Sequence, residues 1–325
     1  MRLAELRKLF APARLNRPGL AEDALSGAAP VAADPPPPSP PPPPSPLPST
    51  PPASLPAPSP WTADRLELAE ELWGSGYVRP GGAAGIRRLA VPLGLSAASS
   101  LLLVGAGAGG PALEIATALG CWVSGYEADR VLVAEAARLL KRADKAVAKR
   151  AAVAAWNPER PAFRANGFHH AIALDAMRTG PPKALIAAIA QALKPGGQLV
   201  VVQTVADAPL SMQEPTVARW CQLEQRPPTP PSEADITGHL TQLGFNIHVI
   251  EDSSARHKQL SLASWKALLL GMPSERPSPA RAAALVTEAE LWLCKMRLMN
   301  ERRLRVMRWH AVAPLVPVTK TPHSA

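Results

Sequence analysis

Short apolar runs alternate with helical segments through the middle of the chain. Runs of this kind are typical of strands that are buried on both faces of a sheet. The five runs are Leu101–Val104, Cys121–Tyr126, Ala151–Trp156, Phe168–Asp175 and Val200–Thr204. Segments with apolar residues at helical spacing separate them, and the longest of these is Asp129–Arg150. The pattern predicts an α/β protein with a parallel, doubly wound sheet.

The C-terminal third extends this pattern with a longer helical part. Asp235–Gly244 predicts a helix, Phe245–Ile250 a sixth strand and Arg305–His310 a seventh. Between the last two strands, Ser261–Arg303 carries tryptophan, leucine and methionine at helical spacing, which predicts two helices packed on the sheet or forming a lid. Prolines interrupt Gln213–Ser232, so we expect an irregular segment that covers the substrate side.

A glycine-rich turn directly follows the first predicted strand. A strand, a glycine turn and a helix N-terminus bring backbone N–H groups close to a ligand. Gly105, Gly107 and Gly110 match the G-x-G-x-x-G fingerprint of dinucleotide sites, whereas Gly105, Gly107 and Gly109 match the G-x-G-x-G of S-adenosylmethionine enzymes. Glu127 follows the second strand, where an acid accepts hydrogen bonds from a ribose diol in either family. The turn therefore predicts a nucleotide site and leaves both cofactors open.

The composition and charge of the chain limit the classes of protein to which it can belong. The net charge is +9, but the Lys and Arg residues are scattered along the chain, which argues against a nucleic-acid partner. Three widely spaced cysteines exclude a disulfide framework and a zinc knuckle, and no metal site is expected. No apolar run is long enough for a membrane span. These features predict a soluble, cytoplasmic protein.

Proline-rich sequence sets the N-terminal boundary of the predicted domain. More than a third of the 39 prolines lie in Pro30–Pro60, which favours an extended polyproline segment without a packed core. We therefore expect a disordered tail at residues 1–60, a folded domain at residues 61–314 and a flexible tail at residues 315–325. The Pro-x-x-Pro spacings in the first tail leave a protein partner open.

The turn Leu193–Leu199 reads Leu-Lys-Pro-Gly-Gly-Gln-Leu and resembles the turn before the fifth strand of class I S-adenosylmethionine-dependent methyltransferases. Leu102–Gly109 is similar to their first motif and Gly125–Glu127 to their second. The resemblance extends over Trp61–Pro314. It implies a Rossmann-like sheet of seven strands with a helical insert before the last, S-adenosylmethionine as cofactor, and methyl transfer. The loop Trp73–Gly82 is similar to one in phosphoethanolamine-type and related small-molecule methyltransferases.

The resemblance also implies which residues bind the cofactor. These are Gly105, Ala106, Gly107 and Gly109 near the methionine part, Glu127 at the ribose hydroxyls, and Asn157 at the adenine amino group. Three positions depart from the family pattern, because Leu103, Asn157 and His169 each stand where an acidic residue is usual. The departures leave open a catalytically diverged cofactor-binding or scaffold protein. An NAD(P)-dependent oxidoreductase is a third alternative.

Tyr77 and Asp175 are the predicted catalytic residues. Tyr77 lies in a glycine-rich loop just before the nucleotide turn, where it would serve as a flap over the site or, alternatively, pack between two helices. Asp175 ends the fourth strand, and ligands of open α/β sheets bind at the carboxyl ends of strands. Alternatively, Asp175 would cap the loop that follows the strand. His169 and His170 begin the same strand, about 20 Å from that edge at roughly 3.3 Å per residue, so we expect them outside the site.

Overall fold

The computed structural model describes residues 59–273 and 275–315, so most of the two predicted tails lies outside the described residues. The strands are β1 (Ser100–Val104), β2 (Trp122–Glu127), β3 (Ala151–Ala155), β4 (Phe168–Leu174), β5 (Leu193–Val205), β6 (Asn246–Asp252) and β7 (Arg305–Val312). The helices are α1 (Ala63–Trp73), α2 (Gly82–Ala90), α3 (Gly110–Leu119), α4 (Arg130–Arg142), α5 (Lys145–Ala148), α6 (Pro182–Ala192), α7 (Pro215–Glu224), α8 (Glu233–Gln242), α9 (Ser254–Gly271) and α10 (Pro279–Asn300). A 3₁₀ turn, Val91–Leu93, follows α2.

The strands form one sheet of seven, in the order β3-β2-β1-β4-β5-β7-β6. This confirms the predicted α/β sheet with a helical insert before its last strand. The expectation of a parallel sheet fails at β7, which is antiparallel to both β5 and β6. The two insert helices return the chain to the edge at which β6 ends, since Asp252 pairs with Met307. A strand that starts from that edge runs antiparallel to its neighbours.

Two other predicted segments differ in the structure. The predicted helix Asp129–Arg150 is divided into α4 and α5, because the Asp144 carboxylate accepts a hydrogen bond from the Ala146 N–H (2.8 Å) and starts a new helix. The irregular segment expected at Gln213–Ser232 contains α7. Pro215 lies at the first position of that helix, where proline is compatible with the helical backbone.

The turn Leu193–Leu199 is part of β5 and forms an irregularity in that strand. Phe168 pairs with Leu193, and the next paired residues are His170 and Gln198. The extra residues bulge out between these pairs, and Gly196 takes the positive φ of +72° that the bulge requires.

The core has two layers, one on each face of the sheet. Alternate residues of β1 contribute to each, with Leu101 and Leu103 on one face and Leu102 and Val104 on the other, all fully buried. A strand buried on both faces explains the uncharged apolar run. A further apolar cluster joins α1 to the two insert helices through Trp73, Trp265 and Trp292, among others. Within the described residues, no helix has the length and apolar character that a membrane span requires.

Candidate functional site

The nucleotide turn approaches the end of β4 very closely. Gly105, Gly107 and Gly109 have φ values of +80°, +59° and +94°, a region that side chains other than glycine rarely adopt. A Cβ atom at Gly105 would overlap the carbonyl oxygen of Leu174. The glycines therefore keep backbone N–H groups at the surface of the turn and let β1 and β4 meet at the carboxyl edge of the sheet.

The Glu127 carboxylate organises this turn. Its Oε2 atom accepts a hydrogen bond from the Gly107 N–H (2.9 Å). Its Oε1 atom accepts from the Ala128 N–H (2.8 Å) and the Asp129 N–H (3.2 Å). Each carboxylate oxygen offers about two lone-pair sites, so Oε1 is fully used and Oε2 keeps one acceptor position. Glu127 lines a cavity, and that remaining position suits a ribose hydroxyl.

The loop Gly74–Gly82 covers the N-terminus of α3. The Gly110 N–H donates to the Gly76 carbonyl oxygen (3.0 Å), and the Gly76 N–H donates to Glu70 Oε1 (2.9 Å). The Tyr77 ring lies against Gly110, where a Cβ atom would come within 2.8 Å of the ring. Protein groups therefore occupy the helix end at which dinucleotide folds bind a pyrophosphate.

A cavity of about 560 Å³ extends from the glycine turn to a charged region beneath the insert helices. Its volume is in the range of small-molecule sites. Five of the residues singled out in the sequence line this cavity: Tyr77, Gly105, Gly107, Glu127 and Asp175. The structure thus brings together the nucleotide turn, the loop before it and the end of β4.

The three other predicted cofactor residues are not among those that line the cavity. Ala106 is fully buried behind the turn, and Gly109 allows close approach to Ala136 of α4. Asn157 is exposed, and its Oδ1 atom accepts a hydrogen bond from the Glu159 N–H (2.9 Å). Its neighbour Trp156 faces the cavity and supplies an aromatic surface that could pack against an adenine ring.

Tyr77 and Asp175 differ in their hydrogen bonding. The Tyr77 hydroxyl is buried and has no partner among the described residues, and burial raises its pKa above the ordinary value. The Asp175 Oδ1 atom accepts from Gln203 Nε2 and from the Thr204 N–H (both 3.0 Å). Asp175 is therefore held firmly in place, whereas the Tyr77 hydroxyl makes no hydrogen bond within the described residues.

The charges of neighbouring side chains determine the ionisation state of the Asp175 carboxyl group. Burial by itself would raise the pKa of this carboxyl, but nearby cations favour the charged form and hold its pKa below the usual value. The cations, in order of effect, are Arg226, Arg79 and Lys295. Asp175 is consequently an anion at neutral pH.

Glu224 is the centre of a buried ion cluster next to Asp175. Its carboxylate is bound by Lys295 Nζ (2.7 Å) and, at 3.4 Å, by Arg226 Nη1. Arg178 donates to its backbone carbonyl (2.7 Å). Burial would raise the pKa of Glu224, yet Lys295 above all holds it far below the ordinary value. The cluster connects α7 to α10 at the wall of the cavity.

His257, in the first turn of α9, faces the same region, and its Nε2 atom has no hydrogen-bond partner among the described residues. Its Nε2 atom is buried, and its ring lies 5.6 Å from the Trp292 ring. Burial, reinforced by the charge of Lys295, lowers its pKa to about 3. His257 is therefore a neutral imidazole in the folded protein near pH 7.

Comparison with solved structures finds similar folds in several proteins. Phosphoethanolamine N-methyltransferase 2 from Haemonchus contortus, in complex with S-adenosylmethionine, matches with a TM-score of 0.66 and 20% identity, over 77% of this chain and 56% of that chain. Cyclopropane synthase MmaA2 from Mycobacterium tuberculosis matches with a TM-score of 0.58 and 15% identity, over 77% and 94%. The cyclase SpnF matches with a TM-score of 0.59 and 20% identity, over 78% and 94%.

This chain has the fold of the S-adenosylmethionine-dependent small-molecule methyltransferases. It spans just over half the length of the phosphoethanolamine methyltransferase. No family model and no curated protein sequence matches it. The fold confirms the resemblance that the motifs indicated.

Several cavity residues of this methyltransferase fold could not be recognised in the sequence. They are Arg79, Trp156, Arg178, Glu224, His257 and Lys295. Arg79 lies in the loop Trp73–Gly82 and Trp156 at the end of the third predicted strand, so their positions in these segments were an available signal. The others lie in helices or connections whose pattern predicts only packing, and no local signal marks them. His169 and His170, in contrast, lie at the amino end of β4, where His169 Nδ1 accepts from the Ser100 N–H (3.0 Å).

The low pKa of His257 has a consequence for acid stability. Below the ordinary histidine pKa of about 6.5, the unfolded chain binds a proton that the folded protein does not bind until about pH 3. The free energy of unfolding therefore falls as the pH is lowered. Between pH 7 and pH 5, we expect His257→Asn to lose about 2 kcal/mol less than the unmodified protein. Urea unfolding at both pH values measures this, and equal losses would contradict the burial of a neutral imidazole.

Proposed function

We propose that this chain is an S-adenosylmethionine-dependent methyltransferase that acts on a small-molecule acceptor. The observation that supports this best is the Glu127 carboxylate, which holds the glycine turn through Gly107 and keeps one acceptor position at the cavity. The same cavity continues past Asp175 to a buried polar region. A nucleoside site and an acceptor site are thus contiguous, as a direct transfer between two bound molecules requires.

The residues present fit S-adenosylmethionine. Gly105 and Gly107 leave the turn without side chains, Glu127 suits the ribose and Trp156 suits the adenine ring. The cofactor would supply an electrophilic methyl group on a sulfonium. The protein's part is to hold donor and acceptor in line and to exclude water, which requires no fixed acid–base pair. Tyr77 and Asp175 remain the predicted catalytic residues, since both line the cavity between the two sites.

A nicotinamide cofactor fits less well. Dinucleotides place a pyrophosphate at the N-terminus of the first helix. Here the Gly110 N–H is used by Gly76, and the Tyr77 ring covers the helix end. This arrangement favours a cofactor that has no phosphate.

The three residues that depart from the family pattern are not among those that line the cavity. Leu103 is fully buried in β1, His169 lies at the opposite edge of the sheet, and Asn157 is exposed. A rival function is nevertheless supported by one comparison, because SpnF is a cyclase with this fold. The rival predicts cofactor binding without methyl transfer.

Calorimetry distinguishes these functions. S-adenosylmethionine and S-adenosylhomocysteine should bind to the full-length chain, whereas NAD should not, and Gly107→Val should abolish the binding. Binding of NAD alone would overturn the proposal. Acceptor candidates can then be tested by mass spectrometry for S-adenosylhomocysteine and a methylated product. Tight cofactor binding with no product from any acceptor would favour the rival.

Glu127→Ala should weaken S-adenosylhomocysteine binding. A hydrogen bond to a charged acceptor contributes about 1.5–3 kcal/mol, which corresponds to roughly one to two decades in affinity. Glu67→Ala is a matched control, because Glu67 is exposed on α1 and is not among the residues that line the cavity. Calorimetric dissociation constants of the two variants provide the measurement. A change of less than twofold for Glu127→Ala would show that the ribose lies elsewhere.

A further inference from the structure

His257 contributes to the cavity wall an imidazole whose Nε2 atom is buried. Its Nε2 atom has no partner among residues 59–273 and 275–315, and the residue lines the cavity. An unpartnered polar atom in a buried site is destabilising, so an interaction with a ligand would compensate for it. Packing against Trp292 fixes the ring at this position. The ring is thus held at the cavity wall with a nitrogen that no described protein group binds.

The surroundings of His257 connect it to the reacting end of the cavity. The charged groups that face it are Lys295 of α10, Asp175 after β4, Glu224 of α7 and Arg79 of the loop before α2. Arg79 Nη1 also contacts the carbonyl oxygen of Gly105 (3.3 Å). His257 therefore lies where the nucleotide turn meets the ion cluster.

We propose that Nε2 of His257 binds the acceptor and takes up the proton of a hydroxyl group, so that the acceptor is an alcohol or a phenol. This inference rests on the proposed methyltransferase function. In the step, the acceptor oxygen forms a bond to the methyl carbon while the sulfur–methyl bond breaks and its electron pair stays on sulfur. The hydroxyl proton passes to Nε2. The products are a methyl ether, S-adenosylhomocysteine and an imidazolium.

The basicity of His257 agrees with a hydroxyl acceptor and not with an amine. A pKa of about 3 makes the imidazole far too weak to remove a proton from an ammonium group with an ordinary pKa of about 10.4. A hydroxyl proton becomes strongly acidic as the oxygen is methylated, and a weak base is then sufficient. Burial and Lys295 disfavour the resulting imidazolium, and Asp175 and Glu224 offset part of this effect because both favour the charged form of His257.

A pair of nearly isosteric probes tests this inference without knowledge of the natural acceptor. Para-fluorophenol and para-fluorotoluene differ in a hydroxyl and a methyl group, and fluorine NMR reports their binding to the full-length chain saturated with S-adenosylhomocysteine. The phenol should bind roughly three- to tenfold more tightly through one hydrogen bond. His257→Phe keeps an aromatic ring against Trp292 but should lose this preference. His239→Phe should retain it, because His239 lies on α8 and is not among the residues that line the cavity.

The outcomes separate this inference from the proposed function. Equal binding of the two probes, or no binding of either at the solubility limit, would overturn the role of His257. A preference for the phenol that persists in His257→Phe would overturn it as well. If S-adenosylhomocysteine does not bind, the proposed function fails, and the same probe pair on the protein alone still tests His257. With S-adenosylmethionine, formation of para-fluoroanisole in the unmodified protein but not in His257→Phe would support the proton transfer.

Discussion

Gly105→Ala is expected to abolish cofactor binding and to destabilise the domain by about 2–5 kcal/mol. A Cβ atom at this position would overlap the carbonyl oxygen of Leu174 and would also adopt a φ of +80°. Relief of the overlap requires β1 and β4 to separate at the edge where the nucleotide turn lies. Calorimetry with S-adenosylhomocysteine and urea unfolding measure the two effects.

Gly94→Ala is the matched control for this variant. Gly94 also has a positive φ, of +56°, but no atom lies within 4 Å of the position of its Cβ. The substitution should therefore be destabilising only through the backbone conformation, by about 1–2 kcal/mol, and should leave cofactor binding unchanged. If Gly105→Ala proves no more destabilising than Gly94→Ala, the close approach to Leu174 has no energetic importance.

Glu224→Gln is expected to be destabilising by about 3–5 kcal/mol, because it removes the carboxylate and leaves buried cations without a partner. Lys295 and Arg226 both bind this carboxylate, and their side chains are almost completely buried. Two nitrogens of Arg226 already lack a hydrogen-bond partner in the part of the chain that the structure describes, so the guanidinium depends on Glu224. Denaturant unfolding at neutral pH provides the measurement.

The control for Glu224→Gln is an exposed ion pair between the same two helices. Arg219 of α7 and Glu290 of α10 are each more than a third exposed. Glu290→Gln should therefore change stability by less than about 1 kcal/mol. Similar losses in the two variants would show that burial of the Glu224 cluster has no energetic consequence.

The sequence by itself determined the features that depend on local pattern. Leu101–Val104 is a strand buried on both faces, and the glycines after it have the backbone conformations that only glycine adopts readily. The position of Asp175 at the carboxyl edge follows from strand direction alone. These features are predictable because periodicity and backbone sterics act over a few residues.

Only the tertiary structure decided how the distant parts of the chain combine. The antiparallel direction of β7 depends on the edge of the sheet to which α9 and α10 return the chain. The residues of β7 do not by themselves indicate this direction. The Glu224–Lys295 ion pair joins residues 71 positions apart, and His257 reaches the same cavity from a third element. In the sequence these side chains are ordinary polar positions of helices. Their charge states and their access to a ligand arise from burial against one another, which no local pattern encodes.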